Sequence, residues 1–178
     1  MIRELMDKLP GFFDTDEGRQ FFIRHGVRFG MAWDEVIRLE RNNGFLPHRN
    51  DPESREPVYD SGHNYQLYYR DPMDMIFKDL AVHRFEYDFR REDKSLYQFY
   101  YVFCSRSDFM PLSIALTEKY GDMSADGALT ERFKKTGTED DPHQGWNLPA
   151  GDDSLIAVDL WMNGIGMCML AYEQQSRQ

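Results

Sequence analysis

Cysteine, long apolar runs and net positive charge are all scarce in this chain, and each shortage excludes a class of protein. The 178 residues include two cysteines, Cys104 and Cys168, which are too few for the disulfide framework of a small secreted domain. No segment approaches the length of a membrane span, and the stretch from Met1 to Lys8 lacks the uninterrupted apolar region of a signal peptide. We therefore expect a cytoplasmic protein whose cysteines are reduced.

The deficit of basic residues leaves a formal net charge of −10 at pH 7 and a pI near 4.9. The resulting electrostatic field repels phosphate backbones and anionic lipid headgroups. We therefore predict that the partner is neither nucleic acid nor a membrane, and that a protein partner would present a basic surface. The composition predicts no particular oligomeric state.

The common signatures of catalysis and cofactor binding are also missing. There is no paired-cysteine motif, no Gly-x-Ser-x-Gly turn and no phosphate-binding glycine loop. Asp60–His63 and Asp140–His143 each combine carboxylate with imidazole, but loops rich in Asp, Gly and Pro commonly have this composition. Cys104, expected across from Arg84, is either a thiol activated by that cation or a small core residue. We predict no catalytic residue, no metal ligand and no cofactor, and the interpretation leans away from an enzyme.

Aromatic residues, in contrast, make up 15% of the chain, and their spacing predicts a pair of strands at residues 84–91 and 96–104. Side chains alternate across a strand, so matching the two aromatic faces predicts Phe89 opposite Phe99 and Tyr87 opposite Tyr101. The reverse face of the first strand carries charged residues, which we interpret as a solvated charge ladder rather than an acid–base dyad: Arg84, Glu86, Asp88 and Arg90.

Turn and helix signals complete the predicted fold. Short helices broken at Pro10-Gly11 form an N-terminal arm over residues 1–25, and a strand at 27–30 precedes a helix over 32–43. Further predicted elements are a strand at 64–70, a helix over 111–120 and a two-residue hairpin turn at Asn163-Gly164. The prediction is an α+β protein with a single mostly antiparallel sheet of about six strands and two central helices on one face. The short helical arm would pack on this single domain of residues 26–178.

Two stretches carry a resemblance to other proteins. They are Phe29-Gly30-Met31-Ala32-Trp33-Asp34-Glu35-Val36 and Glu118-Lys119-Tyr120-Gly121, the latter followed by a loop with Trp146 and two strands. In these stretches the chain resembles a loose set of functionally uncharacterised small bacterial α+β proteins. These motifs mark helix edges, and the resemblance implies a fold class and no particular activity.

The predicted sheet face opposite the aromatic core interleaves aromatic residues with arginine, a composition typical of recognition patches. The candidate binding residues are those of this face together with one tryptophan of the long acidic loop: Tyr68, Arg70, Arg84, Tyr100, Trp161 and Trp146. Alternatively, the N-terminal arm covers part of this face with Phe12, Phe13, Phe21 and Phe22, since large exposed apolar patches are uncommon on monomers.

The function we predict from these observations is that of a non-catalytic protein-binding module, such as an acidic inhibitor or immunity-type protein. One alternative is a small-molecule or peptide binder with a cleft between the sheet and the long loops. A second is a hydrolase-type enzyme whose site joins His48, His63 or His143 to carboxylates in three dimensions.

Overall fold

The structure, a computed structural model, describes residues 27–42, 44–47, 58–70, 82–125, 127–150 and 153–176, with only the backbone at Arg70. The predicted N-terminal arm and His48 lie outside the described residues. Within them, the chain divides into two compact units, one ending at Phe99 and the other beginning at Tyr100.

Seven strands form one antiparallel sheet in the order β1-β2-β3-β4-β7-β6-β5 among the described residues. The strands are β1 (Tyr59–Asp60), β2 (Tyr65–Arg70), β3 (Val82–Phe89), β4 (Leu96–Phe103), β5 (His143–Pro149), β6 (Ser154–Met162) and β7 (Cys168–Ser176). The helices are α1 (Trp33–Asn42), α2 (Phe109–Tyr120) and α3 (Glu131–Thr136), with a 3₁₀ turn at Arg106–Asp108 before α2. The predicted α+β class with a mostly antiparallel sheet is confirmed, but the sheet has seven strands rather than about six.

The predicted strand at residues 27–30 is wrong. Gly30 has φ +85°, in the left-handed region, and turns the chain instead. Its N–H donates to the carbonyl oxygen of Leu96 at 2.8 Å, and Ala32 makes an isolated bridge to Ser95. Residues 30–32 therefore contact the start of β4 through isolated backbone hydrogen bonds and do not form a strand beside it.

The first unit buries the aromatic face of β2 and β3. Tyr69 lies beside Phe85 in the register, and the two rings stack with centroids 4.7 Å apart. Helix α1 packs here, because the Tyr87 hydroxyl donates to the buried Glu40 Oε1 at 2.6 Å. Gly44 follows the end of the helix, and its φ of +89° and N–H bond to the Arg41 carbonyl oxygen form a standard C-terminal cap.

The register predicted for β3 and β4 is wrong, although the faces are right. Phe85, Tyr87, Phe89, Phe99 and Tyr101 are all at most 1% exposed, as the alternation predicts. The hairpin closes where the Arg90 N–H donates to the Ser95 carbonyl oxygen at 2.9 Å, whereas the predicted pairing puts Arg90 opposite Gln98. Lys94, with φ 60°, ends a tighter loop than we expected.

The predicted hairpin of β6 and β7 is present, but the prediction that a two-residue turn connects the strands is wrong. The strands pair with Met162 opposite Cys168, and the Asn163 N–H donates to the Met167 carbonyl oxygen at 3.0 Å. A shift by an odd number of residues exchanges the two faces of a strand. Met169 therefore shares a face with Trp161 and not, as predicted, with Leu160.

The second unit carries helices on both faces of its strands: the predicted central helix α2 on one face and the short helix α3 on the other. Helix α2 lies on the face of Tyr172, since the Tyr120 hydroxyl is 3.2 Å from the Tyr172 hydroxyl. Helix α3 lies on the opposite face, where the ring centroids of Phe133 and Trp161 are 5.5 Å apart. The edge strand β5 falls within a segment that the sequence analysis treated as a loop; it ends at Pro149, a residue that edge strands tolerate.

Candidate functional site

The structure buries three of the six candidate binding residues. Tyr100 and Trp161 are 0% exposed, and Trp146 is 1% exposed. The Trp146 indole N–H donates to the Gly121 carbonyl oxygen at 3.0 Å, on the opposite face of the strands from Trp161. These three aromatic side chains therefore do not form an exposed recognition patch.

Tyr68 and Arg84 do come together, in the first unit, as the predicted sheet face requires. Both side chains are partly exposed, with the Arg84 Cζ 5.7 Å from the centroid of the Tyr68 ring. The Arg84 Nε lies 2.6 Å from Glu86 Oε1, and the Tyr68 hydroxyl donates to Gln66 Oε1. The backbone of Arg70 pairs with that of Arg84. This pair is a small polar patch rather than an extended aromatic surface.

The two acids of the charge ladder predicted for β3 are buried and not solvated, whereas its two arginines are partly exposed. Glu86 is 1% exposed and Asp88 is 2% exposed. Asp88 Oδ1 accepts a hydrogen bond from Gln66 Nε2 at 3.1 Å, and Glu86 pairs with Arg84. Because buried carboxylates must be paired or hydrogen-bonded, these contacts have a structural role that exposed charges would not have.

A second polar cluster lies in the second unit, between α3 and the face of β6 and β7. Asp159 is 0% exposed, and its Oδ1 is 2.7 Å from His143 Nε2. Its Oδ2 accepts the Thr130 N–H at 2.6 Å. A Cβ added at Gly145, which lies opposite Asp159 in the register, would sit 3.1 Å from Asp159 Oδ1. Glycine at this position therefore gives the carboxylate room.

Glu173 on β7 supports α3 in the same way. Its Oε2 accepts the Glu131 N–H at 2.5 Å and its Oε1 accepts Gln175 Nε2 at 2.7 Å. Burial raises the pKa of Glu173 above its ordinary value. Two buried carboxylates thus hold consecutive backbone N–H groups, those of Thr130 and Glu131, at the start of α3.

Three hydrogen-bond donors beneath α3 have no acceptor in the part of the chain that the structure describes. They are the Tyr100 hydroxyl, the Trp161 indole N–H and the Arg132 Nε, and all three atoms are buried. The Arg132 Cζ lies 4.0 Å from the centroid of the Tyr100 ring. Each buried donor without an acceptor costs about 1–3 kcal/mol in desolvation. We name Tyr100, Trp161 and Arg132 the donor cluster.

Neither of the two carboxylate–imidazole loop pairs forms among the described residues, and His143 and Asp60 have other partners. His143 does not pair with the neighbouring Asp140 or Asp141; its partner is Asp159, across the β5–β6 pairing. Asp60 pairs with Arg91 instead of His63, and this hydrogen bond is the main reason why the pKa of Asp60 is lowered. The sequence signal for the first pair was Asp159 itself, since it is the one acid within the otherwise apolar run of β6.

Among the described residues, the cysteines, the possible metal-binding side chains and His143 do not come together as a reaction centre. Neither Cys104 nor Cys168 is in a disulfide, and burial raises the pKa of Cys168 to about 12. In the described ranges, no group of three or more His, Cys, Asp or Glu is arranged to hold a metal ion. The described hydrogen bond of the His143 ring goes to Asp159, with Phe133 stacked on it at 4.0 Å.

An exposed surface forms at one end of the second unit, where the turn before β5 meets the β6–β7 hairpin. Ile165 at the hairpin tip is 81% exposed, and Glu139 and Asp140 are exposed in the turn. The Met162 N–H donates to the Pro142 carbonyl oxygen at 3.1 Å and so connects the two segments. We name residues 138–142 and 163–167 the hairpin end.

Comparison with known proteins found no matching family model, no matching curated protein and no matching solved structure. No helix within the described ranges has the length and apolar character needed to span a bilayer. The functional argument therefore depends on the geometry of this chain.

Proposed function

We propose that this chain is a non-catalytic protein-binding module that docks a basic protein at its hairpin end. The observation that carries the proposal is the 81% exposure of Ile165 beside the acidic turn of Glu139 and Asp140. An exposed apolar side chain on a hairpin that is connected to an acidic turn is consistent with the usual anatomy of a protein interface, which has an apolar centre and a polar rim.

Electrostatics supports a basic partner. The chain carries a net charge of −10, and the two carboxylates of the turn stand in solvent, where they attract a basic surface before contact. After contact, burying one isoleucine side chain stabilises a complex by about 1.5–3 kcal/mol. The turn has a defined shape for this role, because the Thr138 N–H donates to Asp141 Oδ2 at 2.9 Å.

A capture experiment with matched variants tests this proposal. The parent chain, Ile165→Ser and Met123→Ser would each be immobilised and exposed to a lysate of the source organism. Met123 is 51% exposed, and the neighbouring Ser124 bonds to Gly145 and Asn147, further along β5 from the hairpin end. We expect a basic protein that the parent and Met123→Ser retain and Ile165→Ser loses. A partner held equally by Ile165→Ser, or a partner that is acidic, would contradict the proposal.

A further inference from the structure

Around α3, the buried hydrogen-bond donors outnumber the acceptors that the described residues supply. Asp159 accepts at both oxygens, from His143 and from the Thr130 N–H. Glu173 also accepts at both oxygens, from the Glu131 N–H and from Gln175. Both oxygens of each buried carboxylate on this face therefore already accept a hydrogen bond. The donor cluster is not matched by acceptors from the described residues.

The donors of this cluster lie close together. Tyr100 and Trp161 are both 0% exposed and belong to one group of packed side chains, which Phe133 of α3 covers. Arg132, the residue before Phe133, stacks its guanidinium on the Tyr100 ring at 4.0 Å. The side chains that carry the hydroxyl and the indole N–H thus lie in one packed group, and the guanidinium of α3 lies against it.

We propose that a small oxyanion, a carboxylate or phosphate group, binds beneath α3 with the donor cluster as its ligands. The indole and the guanidinium can only donate hydrogen bonds, so the guest must supply acceptors. The fixed positive charge of Arg132 favours an anionic guest, because hydrogen bonds from guanidinium to carboxylate or phosphate are charge-assisted. A guest with its own N–H groups would add donors to a face whose carboxylates are already occupied.

Helix α3 forms the outer boundary of the site. It has six residues, and none of its side chains is fully buried. Arg132 is half-buried and the His143 side chain is 25% exposed, which places both at the border between the cluster and solvent. Met167 of the hairpin end packs against the same group of side chains, but the variants that test the anion site lie outside the hairpin end.

The indole N–H signals in ¹⁵N nuclear magnetic resonance test the proposal directly. Sodium acetate and inorganic phosphate are the two probes, and sodium chloride at equal ionic strength is the control. We expect a saturable downfield shift of the Trp161 indole proton with one of the probes. The Trp146 indole proton should stay in place, since it already donates to the Gly121 carbonyl oxygen at 3.0 Å. Trp161→Phe and Trp146→Phe would assign the two signals.

Two variants distinguish binding from a structural role. Arg132→Gln should lower the affinity for the responding probe by roughly tenfold or more, which is the effect expected for losing a charged hydrogen bond. Tyr100→Phe should weaken it as well, yet without any anion it should leave the denaturation midpoint unchanged or higher, because it removes a buried donor that lacks an acceptor.

The chemistry of the guest follows from which probe acts. A response to acetate alone indicates a carboxylate ligand, and a response to phosphate alone indicates a phosphorylated one. The proposal is overturned if neither probe gives a saturable shift, if the Trp146 signal moves equally, or if Arg132→Gln binds as the parent does.

Discussion

His143 and Asp159 form a hydrogen-bonded pair between a partly exposed ring and a buried carboxyl group. The Nε2–Oδ1 distance is 2.7 Å, with the His143 side chain 25% exposed and that of Asp159 at 0%. The carboxylate also holds the Thr130 N–H, the N-cap position of α3. One buried acid therefore connects the edge strand β5 to the helix that covers the donor cluster.

Replacing this acid should destabilise the fold. We expect Asp159→Asn to lower the free energy of unfolding by about 2–3 kcal/mol, because one buried oxygen acceptor becomes a donor facing either Thr130 or His143. Denaturant titration measures the loss. The exposed control Asp140→Asn should stay within about 0.5 kcal/mol of the parent, and an Asp159→Asn variant equally stable would show that the pair is dispensable.

The buried carboxyl of Glu173 should make stability depend on pH. Because burial raises its pKa in the folded state, the folded chain binds more protons than the unfolded chain just above the ordinary value of 4.5. The contribution of Glu173 to the free energy of unfolding therefore falls as pH rises from 4.5 through the raised pKa.

We expect Glu173→Gln to flatten this slope in urea titrations at a series of pH values. Glu139→Gln, a change at an exposed carboxyl, should keep the parental slope. Identical pH profiles for the parent and Glu173→Gln would contradict a raised pKa at this residue.

Phe99 should be one of the costliest side chains to truncate. It is 1% exposed, and its ring lies 5.5 Å from Phe29 and 6.4 Å from Tyr87. Phe99→Ala should cost about 3–5 kcal/mol in a denaturant titration, since it leaves a cavity in a packed core. Ile165→Ala, at an exposed position, serves as the control; a loss below about 1 kcal/mol for Phe99→Ala would be inconsistent with this packing.

The two thiols should differ in reactivity. Cys104 is exposed, whereas Cys168 is buried with its pKa raised to about 12, mainly by desolvation. Because the thiolate is the reactive form, one thiol should be labelled in the folded protein at pH 8 and the second only after unfolding. Cys104→Ser should remove the fast phase. Rapid labelling of Cys168 in that variant would disprove its burial.

The acidic turn should control how fast a partner associates. Once the partner is identified, Glu139→Gln combined with Asp140→Asn should lower its association rate and flatten the salt dependence, with little change in dissociation. Asp141 is left intact because it bonds to the Thr138 N–H. Glu118→Gln with Asp122→Asn removes the same charge elsewhere. Equal rate losses in both double variants would indicate a general charge effect rather than steering by this turn.

Which strand faces are apolar in the first unit can be predicted from residue spacing alone. The alternation in β3 and β4 correctly predicted that Phe85, Tyr87 and Phe99 are buried, because period-two patterning follows directly from strand geometry. Helices α1 and α2 were also predicted, from their glycine ends at Gly44 and Gly121. These features depend on local backbone preferences, which neighbouring residues specify.

The strand registers, and with them the positions of the candidate site residues, depend on long-range contacts. The turn after Met162 differs from a two-residue hairpin, and this local change moved Met169 onto the face of Trp161. The burial of Trp161 and Tyr100 then followed from α3, a six-residue helix with weak local signals. Likewise, His143 meets Asp159 only because β5 pairs with β6. Contacts between distant segments depend on long-range packing and hydrogen bonding, which residue spacing along the chain does not specify.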